Sequence, residues 1–295
     1  MNPRHLLLAL LVVFVWGLNF VAIRLGLNGV PPLFLVFLRF FLASIPAVFF
    51  IKKPTIPFHT LAMYSLITFV LQFSFLFIGI SLGVAPGLAS LITQTQVFFT
   101  IILGIVFVNE RPNSYQYIGC TIALIGLSIV LLHMNGTITL KGFLFLLGAA
   151  FFWSFGNLIS KKIGKVSNLS LVTWASLIAW PPLLAVSLTI EGYDQILYAL
   201  TNLTWISTAA TLYITYFSTL LGYSLWSYLT LHLPLSLLAS FTILIPIVAM
   251  LSSILFLNEP LQPWKITAAI LVLTGLGINL FAKKLLSTFR GIGKA

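Results

Sequence analysis

Long apolar runs separated by short polar breaks set the pattern of this chain. Ten can be traced, over 6–27, 32–51, 60–82, 86–108, 113–133, 142–163, 170–190, 205–229, 234–257 and 263–285. Each is close to the roughly 20 residues that carry a helix across the hydrocarbon of a bilayer. The breaks carry turn chemistry: Pro31-Pro32, Pro54 and Pro57, Pro86-Gly87, Pro112-Asn113, Asn135-Gly136 and Glu259-Pro260. A β-barrel would show short alternating segments instead. The pattern therefore predicts an all-α integral membrane protein with ten transmembrane helices. The first run carries Trp16, Asn19 and Arg24 and no small-residue cleavage site, so it reads as a span rather than a removable signal.

Composition agrees. Of 295 residues, 60% are hydrophobic and 6% are charged, where a soluble domain needs about a quarter charged. The formal net charge is +11, but the cations lie between apolar runs rather than in a cluster, so they speak of topology and not of nucleic acid. With the N-terminus in the cytoplasm, eleven Lys and Arg, including Lys52, Lys53, Lys161, Lys162, Lys283 and Lys284, fall on that side. Arg24, Lys141 and Lys265 fall on the other. That bias predicts both termini on the cytoplasmic side. The one cysteine, Cys120, excludes a disulfide within the chain.

The chain also repeats itself. Asn109-Glu110-Arg111-Pro112 follows the fourth run, and Asn258-Glu259-Pro260 follows the ninth, 149 residues later. Gly126 and Gly275 keep the same offset, and Trp16 with Asn19 is echoed by Trp153 with Asn157. Two five-helix halves, 1–135 and 136–295, are expected. Five is odd, so the second half must enter the membrane inverted, which places a shared site near the midplane and allows alternating access. Pro246 in the ninth run stands where the fourth has Val97, so the halves need not bend alike.

Polar residues inside apolar runs are the candidate site. Arg39 lies within the second run, and a cation there should face the bundle interior. Its guanidinium suits a carboxylate; the bland alternative is a structural arginine. Asn19 and Asn157 offer donor and acceptor to a zwitterion, or glue helices together. Gln72, Gln94 and Gln96 are three further amides. On a continuous helix, Gln94 and Gln96 cannot share one face, so one at most should reach a cavity. Trp16 and Trp153 lie too deep to be interfacial anchors and either line the path or fill the core. Tyr213, Tyr216 and Tyr223 have the spacing of one helix face, toward either cavity or core. Trp174, Trp205 and Trp264 fit interface belts, Arg24 can snorkel, and Glu110 and Glu259 can cap the helices that follow them. Gly119, Ala123, Gly126, Ser128, Gly275 and Gly277 allow close packing of the fifth and tenth runs, or a dimer face.

Several of these motifs are familiar as a set. Trp16-Gly17-Leu18-Asn19-Phe20, Leu38-Arg39-Phe40, Asn109-Glu110-Arg111-Pro112, Gly156-Asn157 with Lys161-Lys162, and Asn258-Glu259-Pro260 resemble the EamA-like branch of the drug/metabolite transporter superfamily. The resemblance covers essentially the whole chain. Ala85-Pro86-Gly87-Leu88-Ala89-Ser90-Leu91 and Gln94-Thr95-Gln96 are similar to the members that export amino-acid metabolites. It implies a secondary transporter exporting small polar metabolites, amino acids and derivatives such as O-acetylserine and cysteine.

Other classes fare worse. A nucleotide-sugar carrier would need more buried cations than Arg39. A membrane transferase would need His/Asp pairs or metal carboxylates, and the chain has four acids in all and no ligand-spaced His. A broader drug or metabolite carrier is the nearer alternative. No cofactor or metal is expected. The expected partners are a small-molecule substrate and the lipid bilayer, with no nucleic acid, in a monomer or homodimer.

Overall fold

The computed structural model describes residues 2–109, 111–133, 139–164, 166–233 and 235–292. Glu110, Asn135-Gly136, Lys165 and Lys294 lie outside them. Helices account for nearly all ordered structure, with no strand among the described residues. They are α1 (Pro3–Gly26), α2 (Pro32–Ser44), α3 (Phe58–Ser81), α4 (Pro86–Thr93), α5 (Gln96–Val108) and α6 (Ser114–Leu132). There follow α7 (Leu140–Ile163), α8 (Asn168–Ile190), α9 (Tyr193–Thr201), α10 (205–232), α11 (Leu235–Thr242), α12 (Ile245–Leu257) and α13 (Pro263–Ile292). Eight stretches among the described residues are long and apolar enough to cross a membrane, and α12 is apolar but shorter.

The difference from ten uniform spans has physical causes. The fourth run breaks after Thr93, where Gln94 and Thr95 bond three residues back to Leu91 and Ile92 instead of four. The ninth divides between α11 and α12 at 243–244, the same place after the 149-residue offset. Pro246 opens α12 in its first turn, where a missing N–H costs nothing, so the fourth and ninth runs break alike despite Val97. The eighth run is helical, but its Ser, Thr and Tyr content dilutes it. Its middle, Tyr213–Leu221, is wound as a wider π turn, and α3 has the same feature over Leu66–Leu71. The helix α9 falls in what the apolar pattern leaves as a loop.

The repeated Asn109 and Asn258 now have a reason. Each ends its helix in the left-handed region, at φ 54° and 51°, a conformation that asparagine tolerates. Each donates its N–H five residues back, to Gly104 O and Ser253 O.

Packing pairs α2 with α8, α6 with α13, α3 with α7, and α10 with α1. α12 lies on α1 as α5 lies on α7. Small residues permit the closest approach: a Cβ at Gly119 would stand 2.5 Å from Gly275 O, so that stripe joins α6 to α13 within the chain. Large apolar side chains such as Phe14, Phe107, Leu124, Leu255 and Ile270 are exposed on the outside. Asn19, Arg39, Gln72 and Gln94 are buried inside. That inversion of the soluble pattern is what a lipid surround requires.

Charges at the ends tie helices together. Glu191, just beyond α8, accepts from Leu33 N at 2.7 Å and Phe34 N at 3.0 Å, capping α2, and from Ser187 Oγ at 2.7 Å. Burial pushes its carboxyl above the ordinary range, outweighing those three bonds. Glu259 does not cap the backbone of α13 as the sequence suggested. It accepts from Lys265 Nζ at 2.8 Å and from Ser253 Oγ, because a buried cation in the first turn of α13 is a stronger partner than a backbone N–H. Arg24 is exposed.

Candidate functional site

Within the helix bundle lies a cavity of about 370 Å³. Eight of the ten sequence-derived candidates line it: Trp16, Asn19, Arg39, Gln72, Gln94, Trp153, Asn157 and Tyr223. They come from α1, α2, α3, the α4–α5 break, α7 and α10, so no single helix builds the site.

Arg39 is its electrostatic centre. The side chain is 2% exposed. Its Nε donates to Thr219 Oγ1 at 2.9 Å, Nη1 to Asn19 Oδ1 at 3.3 Å and Nη2 to Ser218 Oγ at 3.5 Å. The guanidinium sits 4.3 Å from the ring centroid of Phe73, a cation–π contact strengthened by burial. Among the described residues no carboxylate pairs with it. All its partners are neutral, and two of its five N–H donors are left over. The π turn of α10 puts successive Ser218 and Thr219 within reach of one guanidinium, and Thr219 Oγ1 donates onward to Ile214 O at 2.8 Å.

The amides meet where the helix breaks. Gln96 Nε2 donates to Gln94 Oε1 at 3.0 Å, and Gln94 Nε2 donates to Thr242 O at 3.4 Å. Both glutamines line the cavity. The expectation that only one could do so fails because it assumed a continuous helix, and the turn at 94–95 brings both inward. A second cavity, of about 260 Å³, lies beyond this pair and shares Gln94, Gln96 and Thr242 with the first.

Aromatic residues form one wall. Trp16 Nε1 donates to Ser218 O at 3.1 Å, and its ring lies 5.6 Å from that of Tyr223 and 5.3 Å from that of Trp226. The three α10 tyrosines do not make one stripe, because the π turn changes the register between them. Tyr213 donates to Val15 O at 3.0 Å, Tyr216 is 37% exposed, and only Tyr223 lines the cavity. Trp205 is 80% exposed, whereas Trp174 donates to Ile51 O at 2.9 Å and Trp264 stacks on His133.

Sequence reasoning missed Thr68, Ser218 and Trp226 as lining residues, and Thr219 as a partner of Arg39. Thr68 carried a signal, one turn before Gln72. Nothing marked Ser218 and Thr219 out from the other hydroxyls of α10.

Residues 4–132 and 140–281 match the EamA-like transporter family. The chain belongs to that family. As a family member it is a multi-pass membrane transporter. A probable amino-acid metabolite efflux pump of Salmonella typhimurium is 39% identical over 299 residues, spanning 99% of this chain and 100% of that protein. A protein of the same description from Escherichia coli is 38% identical over 287 residues, spanning 95% and 96%. A solved structure titled only as a crystal structure of a protein shares the fold, with a TM-score of 0.65 and 16% identity. It covers 97% of this chain and 99% of that one.

Proposed function

We propose that this EamA-like transporter is a secondary transporter that exports small polar metabolites across the inner membrane. Amino acids and derivatives such as O-acetylserine and cysteine are its substrates. One observation carries the reading: a buried guanidinium held, among the described residues, only by neutral oxygens, with donors to spare, at the wall of a cavity of small-molecule size. A charge left uncompensated in a buried site is costly, and a bidentate carboxylate relieves that cost. Asn19, Arg39 and Gln94 grip polar groups, Gln72 and Asn157 line the path, and Trp16, Trp153 and Tyr223 shape it. The two probable amino-acid metabolite efflux pumps it is similar to support the direction and the substrate class.

Alternating access arises between halves 1–135 and 136–295, inverted relative to each other, with both termini cytoplasmic. The exchange of packing partners between halves supports this. So do the matching π turns, the matching breaks at 94–95 and 243–244, and the paired asparagine caps. The aromatic wall of Trp16, Tyr223 and Trp226 favours a second reading, a carrier of broader range that also takes aromatic or drug-like molecules.

Everted membrane vesicles containing the protein should accumulate labelled O-acetylserine and cysteine above vesicles lacking it, and a sugar nucleotide should stay out. No accumulation of either amino acid by folded protein overturns the first reading. Accumulation of a large aromatic cation with them supports the second.

A further inference from the structure

The smaller cavity, of about 260 Å³, is built unlike the one that holds Arg39. Gln94, Gln96, Thr100, Gln116, Thr242 and Asn279 supply its polar lining, and among the described residues no charged side chain lines it. Gln116 stands in the first turn of α6, where it closes a capping box with Asn113. The chamber therefore runs from the break at 94–95, inside the membrane, to a helix end at its surface. Backbone that leaves the helix at membrane depth must be covered by protein or line a water-filled space. Both helix breaks border this chamber, through Gln94 and Ile243. Gln116 Oε1 accepts the Asn113 N–H at 2.9 Å, and its Nε2 group and the Thr100 hydroxyl have no partner among the described residues. Gln94, Gln96 and Thr242 line both cavities and form the partition between them. Two bonds hold it, one of 3.0 Å from Gln96 to Gln94 and a long one of 3.4 Å from Gln94 to Thr242 O.

We propose that the smaller cavity is a second solute site, an antechamber where amides and hydroxyls hold a small neutral or zwitterionic molecule until Gln94 and Gln96 turn aside and admit it to Arg39. This rests on reading the larger cavity as an export path, and it adds to that path a site, a gate and a selection step. Each amide offers a donor and an acceptor, so Gln94, Gln96, Gln116 and Asn279 can meet both ends of a zwitterion. A molecule with net negative charge finds no cation here, and its desolvation goes uncompensated. The antechamber therefore turns away anions that the Arg39 guanidinium by itself would attract. Opening the gate needs rotation of two side chains and no movement of a helix.

The test is the reaction of single thiols with a charged methanethiosulfonate, on Cys120→Ser protein in lipid nanodiscs. Thr100→Cys reports the antechamber, Thr93→Cys the larger cavity, and Ile102→Cys the outside of α5, where Ile102 is 52% exposed. Only a thiolate in water reacts, so Thr100→Cys should be modified at least about tenfold faster than Ile102→Cys. Serine at saturating concentration should slow the reaction of Thr100→Cys at least about twofold, as an occupied site requires. It should do so equally when Arg39→Ala is added, whereas its protection of Thr93→Cys should then be lost. Phosphoserine, with net negative charge, should leave Thr100→Cys unprotected. Thr100→Cys no faster than Ile102→Cys overturns the antechamber, because the chamber is then dry or filled with lipid. Thr100→Cys that serine does not protect, or protects only while Arg39 is present, overturns it too, and protection by phosphoserine equal to that by serine overturns its selection. Thr93→Cys that serine never protects, with Arg39 in place, overturns the export reading on which the antechamber depends.

Discussion

Arg39 Nε donates to Thr219 Oγ1 at 2.9 Å, joining α2 to the middle of α10 inside the bundle. The bond fixes the guanidinium plane, so its remaining donors point one way. Thr219→Val keeps the shape and removes the acceptor, leaving a buried charged N–H unmet at a cost of about 1–3 kcal/mol. Flux should fall several-fold with expression retained, and Thr219→Ser should recover most of it. Vesicle uptake of the labelled substrate checks both variants.

The contact between Gln94 and Gln96 shows where sequence reasoning stops. The apolar runs, the buried arginine and the cavity positions of Trp16, Asn19, Trp153 and Asn157 are legible because hydropathy, spacing and the cost of burying charge are local properties. The break at 94–95 is not, because Gln-Thr-Gln fits a straight helix as well as a bent one, and tertiary packing decides. The π turn of α10 hid Ser218 and Thr219 in the same way, by changing the register on which face assignments depend. The expected cap at Glu259 went elsewhere because Lys265, close in space, is a stronger partner than a backbone N–H. Gln96→Leu removes the 3.0 Å amide bond and a polar wall of both cavities. It should lower flux at least about threefold while shifting stability by about 1 kcal/mol, read by thermal unfolding beside the uptake assay.

Glu191 holds the start of α2 through two backbone N–H groups. Glu191→Ala should destabilise the protein by about 1–2 kcal/mol, the usual worth of a cap, seen as a lower melting temperature in detergent. The sign of the pH effect follows from the raised carboxyl. The folded protein keeps this proton at pH values where the unfolded chain, near the ordinary 4.5, has lost it. The group's contribution therefore falls as pH rises from about 4.5 through the raised value and is level above it. Glu191→Gln should remove that slope from the melting curve.

Gly119 and Gly275 let α6 and α13 touch backbone to backbone. Gly119→Leu forces the helices apart and should cost about 1–3 kcal/mol. Light scattering before and after should show an unchanged particle mass, because this face is already used within the chain. A change of mass would instead assign it to a contact between copies.

The account turns on Arg39 as the group that receives the substrate's carboxylate. Its most direct test is efflux of labelled cysteine by reconstituted wild-type and Arg39→Ala protein, both checked for fold by size-exclusion profile. Loss of flux by at least about tenfold in the variant is the expected result, as removal of a charge-assisted bidentate contact requires. Arg39→Ala protein that moves cysteine at the wild-type rate would contradict it.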